Sequence, residues 1–235
     1  MVRLEKVCEK TFFSVVRMKV SLEQEKFVAT NVMSLAQAWL YGDVAKPFAI
    51  LDDDTVVGFM LLDWDEGERT VGIWRMMIGQ AFQRKGYGRS ALAEALNMIR
   101  STGKFDLVYL DYVPGNTVAR DLYASFGFRE SGEKEGDEIV MTLPLTDRPQ
   151  VGMRLADEED LPDCLELICR ERARGTKIPT SMESKTMLQR AVADNQVMRL
   201  TWMGKTVGLA LNGDRLLAEE YRSVLDEALG KVKQD

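Results

Sequence analysis

The segment QAFQRKGYGRSALAEALNMIR, Gln80 to Arg100, joins a β-like run, TVGIWRMMIG, to an apolar helical pattern. Two glycines, Gly86 and Gly88, stand at this junction, where the missing side chains let a ligand approach the backbone closely. The helix that follows begins with unpaired amides at the positive end of its dipole. Three cations surround the turn: Arg84, Lys85 and Arg89. The junction therefore predicts an anion site, and a pyrophosphate, with two negative centres, suits it.

The residues on either side of the junction predict a mixed α/β fold. Upstream, RLEKV reads as a strand, Ser21 to Tyr41 has a helical period, and PFAILDDDTVVGFMLLDWDEGERTVGIWRMMIG reads as three strands joined by acidic turns. Downstream follow a helix from Gly88 to about Thr102, the strand FDLVYLDYV, the helix NTVARDLYASFGF and the strand EIVMTLPL. Leading strands followed by alternating helices favour a mixed sheet.

A linker, TDRPQ, divides the chain into two predicted domains, residues 1–146 and residues 151–235. The hairpin segment TVGLALNG of the second domain echoes TVVGFMLL of the first, and each follows two helical segments and a strand. The second domain has no counterpart of the glycine junction. We interpret it as a partial repeat of the first domain, although any helix–hairpin pattern produces some similarity of this kind.

The second domain is predicted to begin with a strand and a helix. A capping pattern at Thr180 and Glu183 predicts the start of another helix. A hairpin turned at Gly204 and a last helix from about Asp214 to Lys233 complete the prediction.

The composition excludes several chemistries. The 235 residues carry a formal net charge of −6 and include no histidine, so an acid or base has to be Asp, Glu, Tyr, Cys, Lys or water. The lack of histidine, together with three cysteines that have no CxxC spacing, predicts no metal site and no disulfide framework. The acidic charge argues against nucleic acid as a partner.

The expected location is the cytoplasm, without a membrane partner. No apolar run approaches the roughly 20 residues that span a bilayer. The first residues, MVRLEKVCEK, lack the apolar centre of a signal peptide. Free thiols are typical of a reducing compartment.

The loop QRKGYG at residues 83–88 matches the Q/R-x-x-G-x-G/A signature of the GNAT acetyltransferases, and GNTVARDLYASFGF follows at the family's spacing. Residues 1 to about 145 therefore resemble the GNAT superfamily, and WRMMIGQAFQRKGYGR is most similar to its bacterial spermine/spermidine N-acetyltransferase branch. Arg84 departs from that branch, which usually has glycine there. The resemblance implies a mixed, mostly antiparallel sheet, splayed where the Trp74–Ile78 strand parts from the Leu107–Val113 strand. A small C-terminal α+β appendage would follow.

The resemblance also implies how acetyl-CoA is held. The backbone of Met76, Met77 and Ile78 would bind the pantetheine arm as an added strand does, and would offer an amide to the thioester carbonyl. Asn116 would bond the pantetheine chain or align its helix, and Tyr123 would contact the sulfur and protonate the departing thiolate. The pyrophosphate would be held by the junction: Gln83, Arg84, Lys85, Gly86, Tyr87, Gly88 and Arg89.

The acceptor is expected at an acidic region. Seven acidic residues and no Lys or Arg lie between Pro47 and Glu68, and such a field attracts a cationic amine. Asp63, Asp65 and Glu66 are the predicted acceptor residues, although acidic turns are often merely solvated. The general base would be a carboxylate acting through water, and Asp63 and Asp111 are the two candidates.

The sequence therefore predicts transfer of an acetyl group from acetyl-CoA to a primary amine of a small molecule, by direct transfer in a ternary complex. A polyamine such as spermine or spermidine is the preferred acceptor. Another small amine, an aminoglycoside or an amino-acid amine, is the alternative. A non-catalytic acyl-CoA sensor or assembly module is the rival from a different class. A monomer and a homodimer are both compatible with the sequence.

Overall fold

The structure is a computed structural model, and it describes residues 1–147, 150–222 and 225. The chain divides into two compact units. Unit 1 contains Met1–Asp65 and Thr70–Leu145, and unit 2 contains Glu66–Arg69 and Thr146–Asp235.

Unit 1 is built on a seven-stranded sheet. Its strands are β1 (Val2–Lys6), β2 (Ala45–Asp52), β3 (Thr55–Asp65), β4 (Thr70–Ile78), β5 (Leu107–Tyr112), β6 (Arg129–Glu135) and β7 (Glu138–Pro144). Its α-helices are α1 (Glu9–Arg17), α2 (Asn31–Leu40), α3 (Tyr87–Thr102) and α4 (Thr117–Ala124). The strand order is β1-β2-β3-β4-β5-β7-β6, and every pair is antiparallel except β4 and β5. The predicted mixed, mostly antiparallel sheet is confirmed.

The two parallel strands separate soon after they meet. β4 pairs with β5 only where Thr70–Gly72 lies beside Leu107–Tyr109. Farther on, β4 stays paired with β3 and β5 with β7. A β-bulge at Trp74 interrupts the β3–β4 ladder, and a bulge bends its strand. The sheet therefore opens between β4 and β5, as the sequence resemblance implied.

Helix α3 buries its predicted apolar face. Leu92, Ala95 and Ile99 are completely buried, and Leu96 is 1% exposed. Their cluster includes residues of β3, β4 and β5. The helix ends at Gly103, whose φ of 64° is the left-handed conformation expected of a glycine after a helix. The core packing of α3 thus fixes the orientation of the glycine junction from which it starts.

The predicted helix from Ser21 to Tyr41 is wrong in its first ten residues. Residues 21–30 form turns and a short 3-10 segment at Glu25–Phe27. Helix α2 begins only at Asn31, because the Thr30 hydroxyl accepts a hydrogen bond from a first-turn amide at 3.3 Å. The sequence pattern also gives no clear signal for α1 or for β6.

Unit 2 contains an antiparallel sheet of four strands in the described residues, in the order β11-β10-β9-β8. The strands are β8 (Gly152–Leu155), β9 (Val197–Trp202), β10 (Lys205–Leu211) and β11 (Asp214–Leu217), and the helices are α5 (Leu161–Ala173) and α6 (Lys185–Ala193). A strand, two helices and three strands therefore follow one another in unit 2, as β1, α1, α2, β2, β3 and β4 do in unit 1.

Three expectations for unit 2 have different outcomes. The hairpin turn at Gly204 is confirmed. Helix α6 begins after Ser184, whose hydroxyl accepts from the Met187 amide at 3.4 Å, so the cap is not at Thr180. The last helix is wrong at its start, because Asp214–Leu217 is a strand. Of its remaining span, residues 223–224 and 226–233 lie outside the described residues.

None of the helices in the described ranges is long and apolar enough to cross a membrane. Over the same ranges, no three His, Cys, Asp or Glu side chains form a group that could hold a metal ion. Cys8 and Cys169 are exposed free thiols, and Cys164 is a buried one.

A buried arginine, Arg199 on β9, connects three elements of unit 2. Its guanidinium donates to Asp160 at 2.8 Å, to Asp163 at 2.8 Å and to Thr206 at 2.7 Å. Only 7% of its side chain is exposed. Asp160 is equally buried and has a second partner, Arg154, at 2.6 Å.

We expect Arg199→Met to destabilise unit 2 by about 3 kcal/mol, the lower end of the range for breaking a buried ion pair, because Asp160 keeps its second cation. Urea denaturation followed by circular dichroism measures the change. Arg215→Met, at an exposed position of β11, is the control and should shift the free energy of unfolding by no more than about 0.5 kcal/mol. Equal costs for the two variants would contradict the expectation.

Candidate functional site

The opening between β4 and β5 forms a cavity of about 1450 Å³ in unit 1. Its walls come from residues 19–29 between α1 and α2, residues 73–78 of β4, the glycine junction, and a segment from Asp111 on β5 to Tyr123 on α4. The volume exceeds the roughly 300–1,000 Å³ of ordinary ligand pockets. The cavity can therefore hold a long ligand or two ligands side by side.

The glycine junction is a tight turn between β4 and α3. Gly86 has a φ of +85°, a left-handed conformation that favours glycine, and α3 begins at Tyr87. The amides of the first helical turn have no acceptor within the helix. Gly86, Tyr87 and Gly88 all line the cavity. The predicted anion site therefore faces the open space.

Side-chain hydrogen bonds hold the junction in place. The side-chain amide of Gln83 donates to the Ile78 carbonyl at 2.9 Å and to the Gln24 side-chain oxygen at 2.7 Å. The Tyr87 hydroxyl donates to Asp52 at 2.7 Å, and this bond lowers the pKa of the Asp52 carboxyl. Gln83 thus links the junction to the wall at residues 19–29.

The three cations of the junction lie in different places. Arg84 lines the cavity and has a φ of +61°, which costs a residue with a side chain roughly 1–2 kcal/mol. Lys85 donates to the Ala81 carbonyl at 3.1 Å, and Arg89 donates to the Ser125 hydroxyl at 2.8 Å. Neither of these two residues lines the cavity. The structure therefore brings one of the three predicted cations to the site.

β4 offers a backbone edge to the cavity. Met76, Met77 and Ile78 line the open space, beyond the point at which β4 stops pairing with β5. Their opposite edge pairs with β3. An extended ligand can therefore form main-chain hydrogen bonds along this edge, as an added strand does.

Helix α4 contributes Asn116 and Tyr123. The Asn116 side chain accepts from the Ala119 amide at 3.3 Å, so it caps the helix while it lines the cavity. Tyr123 is 7% exposed, and burial, together with the charge of Asp111, raises the pKa of its phenol to about 12. The phenol therefore keeps its proton near neutral pH and is available as a donor.

Asp111 places a half-buried carboxyl in the same cavity. Burial, followed by the charges of Glu135 and Glu138, raises its pKa to about 6, while Arg75 opposes the increase. A carboxyl whose pKa lies near the working pH is suited to general-base catalysis.

Arg75 brings a positive charge to this region. Its Nη1 donates to the Trp74 carbonyl at 2.6 Å, and its Cζ lies 5.6 Å from the centre of the Trp74 ring. Its buried Nε has no hydrogen-bond partner in the part of the chain that the structure describes. A guanidinium N–H without an acceptor suits a carboxylate. The cavity therefore combines a carboxyl and a guanidinium.

The predicted acceptor residues lie elsewhere. Asp63, Asp65 and Glu66 do not line the cavity. Asp63 accepts from the Tyr109 hydroxyl at 2.5 Å, beside the part of β4 that is still paired with β5, and Glu66 falls in unit 2. Of the two candidate bases, the structure therefore places Asp111 in the cavity and not Asp63.

The wall at residues 19–29 is a part of the cavity that the sequence pattern does not identify. Phe27 and Val28 extend the apolar period of α2 backwards and so favour a longer helix. The signal that could have revealed the wall is Thr30, a typical N-cap residue directly before α2. Glu23 and Glu25 on this wall line the cavity, and so do Lys19 and Lys26, so the wall brings charges of both signs.

Residues 17–128 match the family model described as the acetyltransferase (GNAT) family. The spermine/spermidine N(1)-acetyltransferase of Bacillus subtilis (strain 168) is 27% identical over 104 residues, which is 41% of this chain and 68% of that protein.

Two solved structures share the fold. Spermidine N-acetyltransferase from Vibrio cholerae, in complex with CoA and spermine, superposes with a TM-score of 0.51 and 16% identity, over 61% of this chain and 95% of that one. The ribosomal-protein-S18-alanine N-acetyltransferase from Escherichia coli gives a TM-score of 0.51 and 17% identity, over 63% of this chain and 96% of that one.

We expect Asp111→Asn to stabilise the protein above about pH 6. Because the folded-state pKa is raised from 3.8 to about 6, the contribution of Asp111 to stability is fully present below about pH 4 and is lost as the pH rises through about 6. Asparagine carries no charge to desolvate.

Thermal unfolding at several pH values measures this effect. The difference in Tm between Asp111→Asn and wild type should grow from pH 4 to about pH 6 and then level off. Asp137→Asn, in an exposed turn, is the control and should show no such growth. A difference that stays constant over this range would contradict the role of burial at Asp111.

Proposed function

We propose that the chain transfers an acetyl group from acetyl-CoA to a primary amine of a small molecule, because its residues 17–128 match the GNAT acetyltransferase family. One observation carries this proposal. A single cavity joins the glycine junction, the uncovered edge of β4, the protonated phenol of Tyr123 and the carboxyl of Asp111.

The residues present suit coenzyme A. The first-turn amides at Gly86 to Gly88 would hold the pyrophosphate, with Arg84 as a cation beside them. The edge at Met76 to Ile78 would hold the pantetheine arm, and Asn116 lies at the start of the neighbouring helix. When bound, acetyl-CoA supplies an activated acetyl thioester.

The protons are assigned to two residues of this chain. Asp111 accepts a proton from the ammonium group of the acceptor, directly or through water, because its carboxyl is ionised above about pH 6. Tyr123 donates a proton to the leaving thiolate, because its phenol is still protonated at that pH. The two groups lie close enough for the charge of Asp111 to raise the pKa of Tyr123.

The acidic and basic residues that line the cavity balance in number. The acidic ones are Glu23, Glu25, Asp111 and Glu138, and the basic ones are Lys19, Lys26, Arg75 and Arg84. The total charge of the lining therefore does not select the acceptor. The names of the Bacillus and Vibrio relatives make a polyamine the first acceptor to test.

Arg75 favours a second candidate. A polyamine carries no group that this guanidinium would bind, whereas the carboxylate of an amino-acid amine would satisfy its free Nε. An aminoglycoside has no carboxylate for Arg75 and remains the other small-amine alternative.

Thiol release from acetyl-CoA in the presence of single amines tests the proposal. The panel contains spermine, spermidine, aminoglycosides and amino acids. Turnover with at least one of them, abolished in Asp111→Asn, is the expected result. If coenzyme A binds and no amine is acetylated, the protein is the acyl-CoA sensor or assembly module that the sequence left open.

Unit 2 is proposed to be an accessory domain, a partial repeat of unit 1 that stops before the glycine junction. The matching order of its elements supports this proposal. Calorimetry should then give one coenzyme A for each chain.

We expect Gly88→Val to abolish coenzyme A binding without unfolding the protein. A Cβ at this position would meet Leu122 at 3.6 Å and Ile78 at 3.8 Å, which are ordinary contacts, while the rest of the side chain would block the approach to the amides. Gly86 is a poorer test, because its left-handed φ strains any substitution.

Isothermal titration calorimetry measures this effect. Ser90→Val, in the same helical turn and outside the cavity, is the matched control and should bind normally. An unchanged affinity for coenzyme A in a folded Gly88→Val variant would contradict the proposal that the junction binds the pyrophosphate.

We expect Tyr123→Phe to lower kcat by roughly 100-fold with little change in the Kd for coenzyme A, because only proton donation is lost. Steady-state kinetics with a saturating acceptor measures it. Tyr112→Phe is the control, since the Tyr112 hydroxyl donates to Glu130 at 2.8 Å. Full turnover in Tyr123→Phe would show that solvent protonates the thiolate.

A further inference from the structure

Helix α2 is packed with its less apolar side toward the protein. Its buried residues are Asn31, Ser34 and Ala38. The Asn31 side chain donates to the Val15 carbonyl of α1 at 2.9 Å, which fixes this orientation. Its exposed residues include a set that we call the α2 stripe: Val32, Met33, Ala36, Trp39 and Leu40.

The α2 stripe is a continuous apolar surface. Residues at positions i, i+1, i+4, i+7 and i+8 project from one side of a helix. Trp39 is 86% exposed, Leu40 is 65% exposed, and Val32 and Met33 are each 56% exposed. Helix α2 therefore has the apolar side that its sequence period predicts, but this side faces solvent and not the core.

The second unit provides an internal comparison. Helix α6 occupies the same place in the element order of unit 2 as α2 does in unit 1. It buries Leu188, Ala191 and Val192 and exposes polar residues such as Gln189 and Arg190. The element order does not require a helix with its apolar side outward, so the reversed orientation of α2 needs its own explanation.

We propose that the α2 stripe is the contact surface between two copies of this chain, which meet as a pair of α2 helices about a two-fold axis. In such an interface each surface faces its own copy, so a charged surface would repel itself. Helix α2, Asn31–Leu40, contains no charged residue, although 29% of the chain is charged. Aromatic and Met side chains without charges are typical of an interface core.

The exposed area is also sufficient. Phe12 and Phe13 on the neighbouring helix α1 are 41% and 61% exposed. Large side chains at these exposures contribute on the order of 100 Å² each. Together with the α2 stripe they approach the roughly 800 Å² for each partner that a stable interface buries.

Two other occupants fit the surface less well. A helix that lies on an anionic membrane carries Lys or Arg along its polar side, and α2 has none. A charged peptide partner would find no complementary charge on α2. A second copy needs neither feature.

Sedimentation velocity of the full chain at micromolar concentration tests the proposal. The wild type should sediment with the mass of two chains. Trp39→Glu and Val32→Glu should each weaken dimerisation by about 100-fold or more, because each buries a carboxylate against its counterpart. Both positions are exposed in the single chain, so circular dichroism and thermal unfolding of the monomeric variants should show an intact fold.

Met187→Glu is the matched control, because Met187 is an exposed apolar residue of α6, at 47%. It should leave the mass at two chains. A wild type with the mass of one chain at high micromolar concentration would overturn the proposal, and so would a dimer that survives both α2 variants. A wild type that remains a single chain and binds anionic vesicles through Trp39 would assign the stripe to a membrane surface instead.

Discussion

The short parallel junction between β4 and β5 is the constraint on which the rest of unit 1 depends. Three residue pairs join the strands there, and the last pair is Gly72 with Tyr109. A Cβ on Gly72 would lie 2.6 Å from the Tyr109 ring, so only glycine allows the ring to occupy this position. The Tyr109 hydroxyl donates to Asp63 at 2.5 Å and connects β5 to β3 across β4. The opening of the sheet starts at this point because the pairing ends there and the bulge at Trp74 follows.

This arrangement explains why the carboxyls of Asp63 and Asp111, which both lie near the opening, have different surroundings. Side chains two residues apart on a strand share a face of the sheet, so Tyr109 and Asp111 lie on the same side of β5. Tyr109 is at the closed end, where burial and the charge of Asp63 raise the pKa of its phenol well above its usual value. Asp111 is past the last pair and faces the cavity. Two neighbouring positions on the same face of β5 therefore differ in their surroundings. Tyr109 binds the carboxyl of Asp63 where β4 and β5 are paired, and Asp111 places its own carboxyl in the candidate site.

Those parts of the candidate site that are short continuous segments of the chain could be predicted from the sequence. The glycine junction and the Asn116 turn are short segments whose geometry follows from their own residues, and the structure places them at one cavity. Asp63 lies outside the cavity, because whether a carboxyl reaches the cavity depends on where β4 leaves β5. The wall at residues 19–29 is similar, since its Gln24 side chain accepts a hydrogen bond from the side chain of Gln83, which is far away in sequence.

The sequence by itself determined the mixed sheet, the strand-to-helix junction with its two glycines, and the apolar periods of α2 and α3. These features depend on residues that are neighbours along the chain, so the local sequence is enough to determine them. Only the tertiary structure decided which way an apolar period faces. Helix α3 turns Leu92 and Ile99 into the core, whereas α2 turns Trp39 to solvent, because Asn31 is bonded to the backbone of α1 and gives α2 a polar inner side. The spacing of apolar residues along the sequence shows that a helix has an apolar side. Whether that side is covered within the same chain depends on the elements that pack around the helix.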